Sequence, residues 1–147
     1  MSIKVNIKKL NERAVVPSYG SEFSAGADLY ACTDGTVEIQ PHTTVVIPTG
    51  IAIELPVGHA GLIYARSGLA TKKGLAPANK VGVVDSDYRG EVKVALHNHS
   101  EEVQSVEYGE RIAQLVITPY LTAQFVESET LSETVRGEGG FGSTGNK

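Results

Sequence analysis

Short stretches in which apolar and polar residues alternate constrain the fold of this chain more than any other feature. The alternating apolar positions are Ile3, Val5 and Ile7, then Ile51, Ile53 and Leu55, then Val92, Val94 and Leu96. A period of two places successive side chains on opposite faces of an extended strand, so each stretch predicts a half-buried β-strand. Turn residues recur between such stretches, at 33–35, 48–50, 56–58, 87–90 and 108–110. The pattern predicts an all-β fold, built as a sandwich, jelly roll or barrel.

One segment has helical character instead. Ser67 is a candidate helix cap, residues 69–73 supply one or two turns, and Gly74 is a candidate stop. No alternation of strands with long helices is present, which disfavours a doubly wound fold. A length of 147 residues fits one compact domain.

The end of the chain differs in composition from the rest. Residues 136–147 contain five glycines and one large apolar residue, Phe141. Glycine loses more backbone entropy on folding than other residues, so this stretch is not expected to order alone. A disordered terminus and an arm that orders over a ligand both remain possible. We predict a β domain over residues 1–135 and a mobile C-terminal arm over 136–147.

Charge and hydropathy argue against several functional classes. The net charge is −4 and the chain has no tryptophan, which argues against broad capture of nucleic acid and against base stacking. No apolar run has the length of a membrane span, and the start lacks the apolar block of a signal peptide. The one cysteine, Cys32, cannot form an internal disulfide. We therefore expect a cytoplasmic protein with no nucleic-acid or membrane partner.

Two segments carry polar groups that suit a phosphate. Arg66 and Ser67 stand at the predicted helix start, where backbone N–H groups and the helix dipole favour an anion. An ordinary capped helix with a surface arginine would have the same sequence. Gln114 lies among apolar neighbours and needs hydrogen-bond partners there, either within a strand or on a ligand.

A third segment places acids at a tight turn. The apolar run that ends at Val84 leads directly into Asp85, Asp87 and Tyr88. An aspartate at the end of such a run is expected to be partly desolvated, which can tune it as a base. The same aspartates could instead stabilise a hairpin turn through side-chain hydrogen bonds. Hairpin and site are compatible.

Two histidines flank Asn98 with the spacing of metal ligands on a strand. His97 and His99 would share one face, which makes a cupin-like metal site conceivable. No convincing ligand cluster follows in the sequence, so we favour a strand end entering a turn. The phosphate-binding pattern GxxxxGK[ST] and the nucleophile pattern GxSxG are both missing.

Five segments together suggest a family. AGADLY, ARSGLA, GVVDSDYRGE, GERIAQL and RGEGGFGSTG occur in this order over residues 25–145. They resemble motifs one to five of the homotrimeric dUTPases. The resemblance implies a jelly-roll-like β domain that hydrolyses dUTP to dUMP and pyrophosphate with Mg²⁺. It also implies a homotrimer whose active sites draw on all three chains, supplying dUMP for dTMP synthesis and keeping uracil out of DNA.

The resemblance implies a role for individual residues. Asp85 would be the base that activates the attacking water, and Tyr88 would pack under the deoxyribose and exclude a 2′-hydroxyl. Asp28 would lie near the metal, through water, and Phe141 would stack on uracil as the arm closes. The implied substrate contacts are Arg66, Ser67, Gly68, Asn79, Gly82, Val84, Tyr88, Lys93, Gln114, Arg136, Gly139, Gly140, Phe141, Gly142, Ser143 and Thr144.

The sequence departs from the family pattern at two positions. Ala27 stands where an aromatic residue is common, and Ala65 stands where proline is common. Both adjoin implied site residues and replace none, so they concern local rigidity. The related dCTP deaminases share the β domain and are the main alternative, followed by an inactive nucleotide-binding relative and a cupin-like metal protein. The hairpin around Asp85 and the glycine-rich arm favour the hydrolase.

Overall fold

A computed structural model describes residues 2–141 and contains twelve strands and one short helix there. The strands are β1 (Asn6–Lys9), β2 (Ser18–Tyr19), β3 (Ala27–Tyr30), β4 (Val37–Ile39), β5 (Thr44–Pro48), β6 (Ile51–Glu54), β7 (His59–Tyr64), β8 (Leu75–Pro77), β9 (Gly82–Val84), β10 (Lys93–Asn98), β11 (Gln104–Val106) and β12 (Arg111–Pro119). The helix α1 (Ser67–Lys73) lies between β7 and β8. The predicted all-β fold with one short helix is confirmed.

All of the strand pairs are antiparallel. The largest sheet has five strands in the order β2-β3-β12-β7-β9, and a second sheet has the order β5-β10-β8. Two further pairs, β1 with β6 and β4 with β11, complete the jelly-roll-like domain. One apolar cluster lies at its centre, and its largest fully buried side chains are Leu29, Ile39, Ile47, Ile51, Leu75, Leu96 and Ile112. Burial of this apolar surface is the main source of stability for such a domain.

Two of the three alternating stretches form the strands that were predicted. Ile51 and Ile53 are buried in β6, and Val94 and Leu96 are buried in β10. The first stretch is partly wrong, because β1 starts only at Asn6 and all of its residues are exposed. The physical reason is that β1 pairs with β6 alone and has no second layer over it in the described chain.

The sequence predicted the C-terminal end of α1 correctly but not its N-terminal cap. The prediction that Ser67 caps it is wrong: Arg66 occupies the N-cap with extended backbone, and no side chain caps the helix. Gly74 ends it as predicted, with φ 66° and its N–H donating to Ala70 O. Within residues 2–141, no helix has the length and apolar character needed to cross a bilayer.

The histidine pair flanks a structural asparagine. Strand β10 ends at Asn98, whose side chain is fully buried. Its Nδ2 donates to Ile39 O and Glu102 O, while its Oδ1 accepts from the backbone and hydroxyl of Ser100. All of its hydrogen-bonding groups are thus used to close the turn. The interpretation of this segment as a strand end entering a turn is confirmed.

The chain leaves the β domain after β12. The N–H of Tyr120 donates to Gly58 O, and residues 121–141 then form neither strand nor helix. The large apolar side chains of this C-terminal segment are exposed: Leu121, Phe125, Val126, Leu131, Val135 and Phe141. A single chain therefore offers them no cover. The boundary at residue 135 stays a prediction.

Candidate active site

A first cavity of about 370 Å³ lies between β3, the start of α1 and β12. Its lining residues are Gly20, Ser24, Ala25, Gly26, Asp28, Arg66, Ser67, Gly68, Arg111 and Gln114. We call it the arginine cavity. It brings together five of the predicted site residues, namely Asp28, Arg66, Ser67, Gly68 and Gln114.

Asp28 is the central carboxylate of the arginine cavity. Its side chain is only 14% exposed. Its Oδ1 accepts from Arg66 Nε at 2.8 Å, and its Oδ2 accepts from Arg111 Nη1 at 3.3 Å. The acid that was expected near a metal is therefore held between two guanidinium groups. Arg111 was not among the predicted site residues, although the GERIAQL segment contains it.

Gln114 has the hydrogen-bond partner that its surroundings require. Its Nε2 donates to Ala65 O at 2.9 Å, which joins β12 to the loop before α1. Gly26 approaches this side chain so closely that a Cβ at position 26 would overlap the Gln114 amide oxygen. A side chain at position 26 would therefore shift the Gln114 amide from its present place. A contact from Gln114 to phosphate stays a prediction.

A second cavity of about 250 Å³ lies beside the turn between β9 and β10. Its lining residues are Ile63, Asn79, Gly82, Val83, Val84, Asp85, Tyr88, Glu91, Val92 and Lys93. We call it the hairpin cavity after the hairpin that the sequence predicted there. That prediction is wrong, because β9 pairs with β7 while β10 pairs with β5 and β8, so the two strands belong to different sheets and the turn only connects them. The structure therefore gathers the predicted base, the predicted sugar contact and four further predicted substrate contacts, Asn79, Gly82, Val84 and Lys93, around one opening.

Hydrogen bonds hold the turn between β9 and β10 in one shape. The Tyr88 hydroxyl donates to Glu91 O at 2.9 Å, and the Tyr88 N–H donates to Asp85 O at 3.2 Å. Arg89 Nη1 donates to Ser86 O at 2.7 Å. These bonds fix the Tyr88 ring across the mouth of the turn.

Contacts between residues that are far apart in the sequence connect this turn to the region of β5 and β6. Glu91 Oε1 accepts from Gly50 N at 2.9 Å, and Arg89 Nη2 lies 3.3 Å from Glu54 Oε1. A hydrogen bond from Asn6 and the charge of Arg89 both hold the pKa of Glu54 below its usual value. Glu54 and Arg89 are half-exposed, so their ion pair contributes little to stability by itself.

Asp85 differs from the prediction in its exposure. It follows the last residue of β9, but its side chain is exposed in the described chain and not partly shielded. The physical reason is that β9 is the last strand of its sheet, so no neighbouring strand covers the residue that follows it. Among residues 2–141, no segment shields Asp85.

The predicted site residues fall into two groups and not into one. The arginine cavity and the hairpin cavity share no lining residue. Arg136, Gly139, Gly140 and Phe141 line neither, and the Arg136 Nε donates within its own segment to Gly139 O. The predicted contacts Gly142, Ser143 and Thr144 lie outside the described residues.

Comparisons with known proteins are consistent across almost the whole chain. The family model described as dUTPase matches residues 12–145. Deoxyuridine 5′-triphosphate nucleotidohydrolase of Hydrogenobaculum sp. (strain Y04AAS1) is 50% identical over 145 residues, which cover 99% of this chain and 100% of that protein. The protein of the same name from Neisseria meningitidis serogroup B is 49% identical over 149 residues, covering 99% of each.

Solved structures give the same result at the level of the fold. The dUTPase of Staphylococcus bacteriophage 80alpha with dUPNHPP superposes with a TM-score of 0.85 at 29% identity, covering 98% of this chain and 99% of that one. The fold and the matching relatives define a class of all-β nucleotide hydrolases. This chain belongs to the dUTPase family.

Proposed function

We propose that this chain is a dUTP diphosphatase, which hydrolyses dUTP to dUMP and pyrophosphate. The observation that carries the proposal is the identity of about half of all residues, over the full length, to proteins named for this activity. The bacteriophage dUTPase with the same fold binds a dUTP analogue. In a cell, the reaction would supply dUMP for dTMP synthesis and keep uracil out of DNA.

Uracil recognition is proposed at the open edge of β9. One side of β9 pairs with β7, and the strand is the last of its sheet. An edge strand presents unpaired N–H and C=O groups, which can bond a ligand much as they would bond another strand. Gly82 and Val84 supply this edge, and Asn79 lies beside it in the hairpin cavity. Uracil can pair with such an edge, because it carries one N–H donor between two carbonyl acceptors.

The two cavities are proposed to take different parts in hydrolysis. The hairpin cavity would supply the base, and the arginine cavity would bind the phosphate chain. Asp85 would take the proton of a water that attacks the α-phosphorus, since it is the accessible carboxylate of the hairpin cavity. Arg66, Gln114 and the arm residue Arg136 would bind the phosphate chain, and Lys93 would approach it from β10. Their donors would stabilise the charge that develops on the phosphate oxygens.

Asp28 is the one acidic residue among the described residues that line the arginine cavity, so it is the side chain there that could contribute to binding the Mg²⁺ that the family implies. Among residues 2–141, no group of three or more histidine, cysteine or acidic side chains is arranged to hold a metal. Mg²⁺ needs few protein ligands when substrate phosphates and water supply the rest. Asp28 would contact it through water, because both carboxylate oxygens already accept from arginines. When bound, the ion would neutralise charge on the triphosphate.

The direct test of the proposed function is a comparison of four nucleotides. Purified protein with Mg²⁺ should release pyrophosphate from dUTP much faster than from dTTP, dCTP or UTP. Pyrophosphate and ammonia should be measured in the same reactions. Ammonia release from dCTP without pyrophosphate release from dUTP would overturn the proposal in favour of a deaminase. Binding of dUTP without turnover would overturn it in favour of a binding protein.

Tyr88 should control discrimination against the ribose. The ring lies across the hairpin cavity, where a 2′-hydroxyl would meet carbon and find no hydrogen-bond partner. Tyr88→Ala should therefore narrow the preference for dUTP over UTP by about tenfold or more, measured as the ratio of the two kcat/KM values. Tyr88→Phe is the matched control, because it keeps the ring and removes only the hydroxyl bond to Glu91. A ratio that Tyr88→Ala leaves unchanged would remove Tyr88 from sugar selection.

A homotrimer with shared active sites is proposed from the separation of the two cavities. The two cavities of one chain share no lining residue, and among residues 2–141 the apolar side chains of the C-terminal segment are exposed. Assembly of three chains would let one chain's arm reach cavities on its neighbours. Sedimentation equilibrium should give three times the mass of one chain. A stable monomer with full activity would contradict this.

A further inference from the structure

We propose that Arg111 is a second phosphate-binding arginine of the arginine cavity, and that Asp28 positions it together with Arg66 for the triphosphate of the substrate. The inference rests on the proposed function and extends it by one binding residue and one positioning residue. Three independent observations support it: an irregularity in β12, the geometry around one carboxylate, and the charge of the arginine cavity.

The irregularity is a β-bulge at the start of β12. Its pairing with β3 shifts by one residue between Arg111 and Ala113. In an unbroken strand these two side chains would share a face, and the face of Ala113 is the buried one. The extra residue, Ile112, is buried as well. The bulge therefore turns Arg111 away from the core, to the side where Asp28 and Gln114 line the arginine cavity.

The carboxylate of Asp28 holds both guanidinium groups in fixed positions. It is 14% exposed, whereas the side chains of Arg66 and Arg111 are 27% and 52% exposed. Arg66 Nη1 also donates to Arg111 O at 3.4 Å, which links the two arginines directly. A guanidinium has five N–H donors in a planar fork. Within the described chain, Arg111 binds Asp28 through Nη1 alone, and its half-exposed side chain lines the cavity, so further N–H groups of the fork are available to a ligand.

Charge makes Arg111 necessary for binding an anion in this cavity. The charged residues among its lining are Arg66, Arg111 and Asp28. Without Arg111, the charges of Arg66 and Asp28 would cancel, and the cavity would be neutral in a chain whose net charge is −4. With Arg111, the cavity carries one net positive charge. A polyphosphate needs this local charge because the overall field of the protein repels it.

The test separates phosphate binding from a structural role. Arg111→Gln should raise KM for dUTP about tenfold or more and weaken binding of inorganic tripolyphosphate by a similar factor, because a charged hydrogen bond is lost. Turnover should change less, since the contact already exists in the substrate complex. Deoxyuridine, which has no phosphate, should inhibit the variant as well as it inhibits the parent. Arg111→Lys should fall between the two, because it keeps charge without the fork.

Arg13→Gln is the matched control, since Arg13 is half-exposed and lines neither cavity. It should leave KM and tripolyphosphate affinity at the parent values. Asp28→Asn should change tripolyphosphate binding less than Arg111→Gln does, because the loss of fixed positions for both arginines is opposed by the removal of a negative charge from the cavity. A lower melting temperature for Arg111→Gln with unchanged tripolyphosphate affinity would overturn the inference. Tripolyphosphate binding is measured without nucleotide, so it tests Arg111 even if dUTP is not the substrate.

Discussion

Replacing Asp85 by asparagine should lower the turnover of dUTP by about 10²–10⁴-fold, the usual loss when a positioned base is removed. Asparagine keeps the size and hydrogen-bonding shape of the side chain but cannot accept the proton of the attacking water. Affinity for a non-hydrolysable dUTP analogue should change far less, because the proposed contacts to uracil and the phosphates are made by other residues. Turnover, analogue affinity and melting temperature should be measured on one preparation.

Asp87→Asn is the control for this experiment. Asp87 is also exposed and lies two residues away, but it does not line the hairpin cavity. The same chemical change there should leave turnover near the parent value. If Asp85 only stabilised the turn, Asp85→Asn would lower the melting temperature and keep its turnover per folded molecule. That result would remove Asp85 from the mechanism.

Ending the chain after Val135 should reduce turnover by about 100-fold or more, because the proposed role of the arm is to position the phosphate chain. The shortened chain should keep its fold, since the buried core residues lie between Ala14 and Leu115 and the described part of the removed segment, residues 136–141, contributes none of them. Melting temperature and sedimentation should therefore match the full-length protein. Unchanged turnover in the shortened chain would show that residues 136–147 take no part in catalysis.

A mixing experiment tests whether the arm acts on a neighbouring chain. The shortened chain keeps Asp85, and the Asp85→Asn variant keeps its arm, so each lacks a different part of the site. If the arm and the hairpin cavity of one site come from different chains, partial unfolding and joint reassembly of the two variants should restore part of the activity. Sites built within one chain would stay inactive after mixing. The outcome is measured as pyrophosphate release per chain.

Local sequence signals predicted most of the fold. Strands β6 and β10 follow from apolar residues at every second position, and turn residues separate consecutive strands where they were expected. Such signals suffice because alternation and turn chemistry act over a few residues. The same signals failed at β1, where Ile7 remains 37% exposed. Alternation shows that a strand can bury one face, but not that another layer covers it.

The arrangement of the site depended on contacts that local patterns do not contain. Arg66 and Asp28 are 38 positions apart, and Arg111 and Asp28 are 83 positions apart. The bulge that turns Arg111 outward adds one residue to a strand whose composition gives no sign of it. The exposure of Asp85 likewise could not be predicted from the sequence, because it depends on the position of β9 at the edge of its sheet. The resemblance to the family motifs identified candidate site residues, whereas the contacts that these residues make depend on the fold.

The open edge of β9 bears on how nucleotide choice could change in evolution. Recognition through backbone N–H and C=O groups does not depend on the side chain attached to them. A substitution at Val83, which is 63% exposed, would leave those groups in place. Selectivity for the base would therefore tolerate most point mutations along the strand. A new base preference would need a shift of the strand itself, through its pairing with β7, and single substitutions rarely produce such a shift.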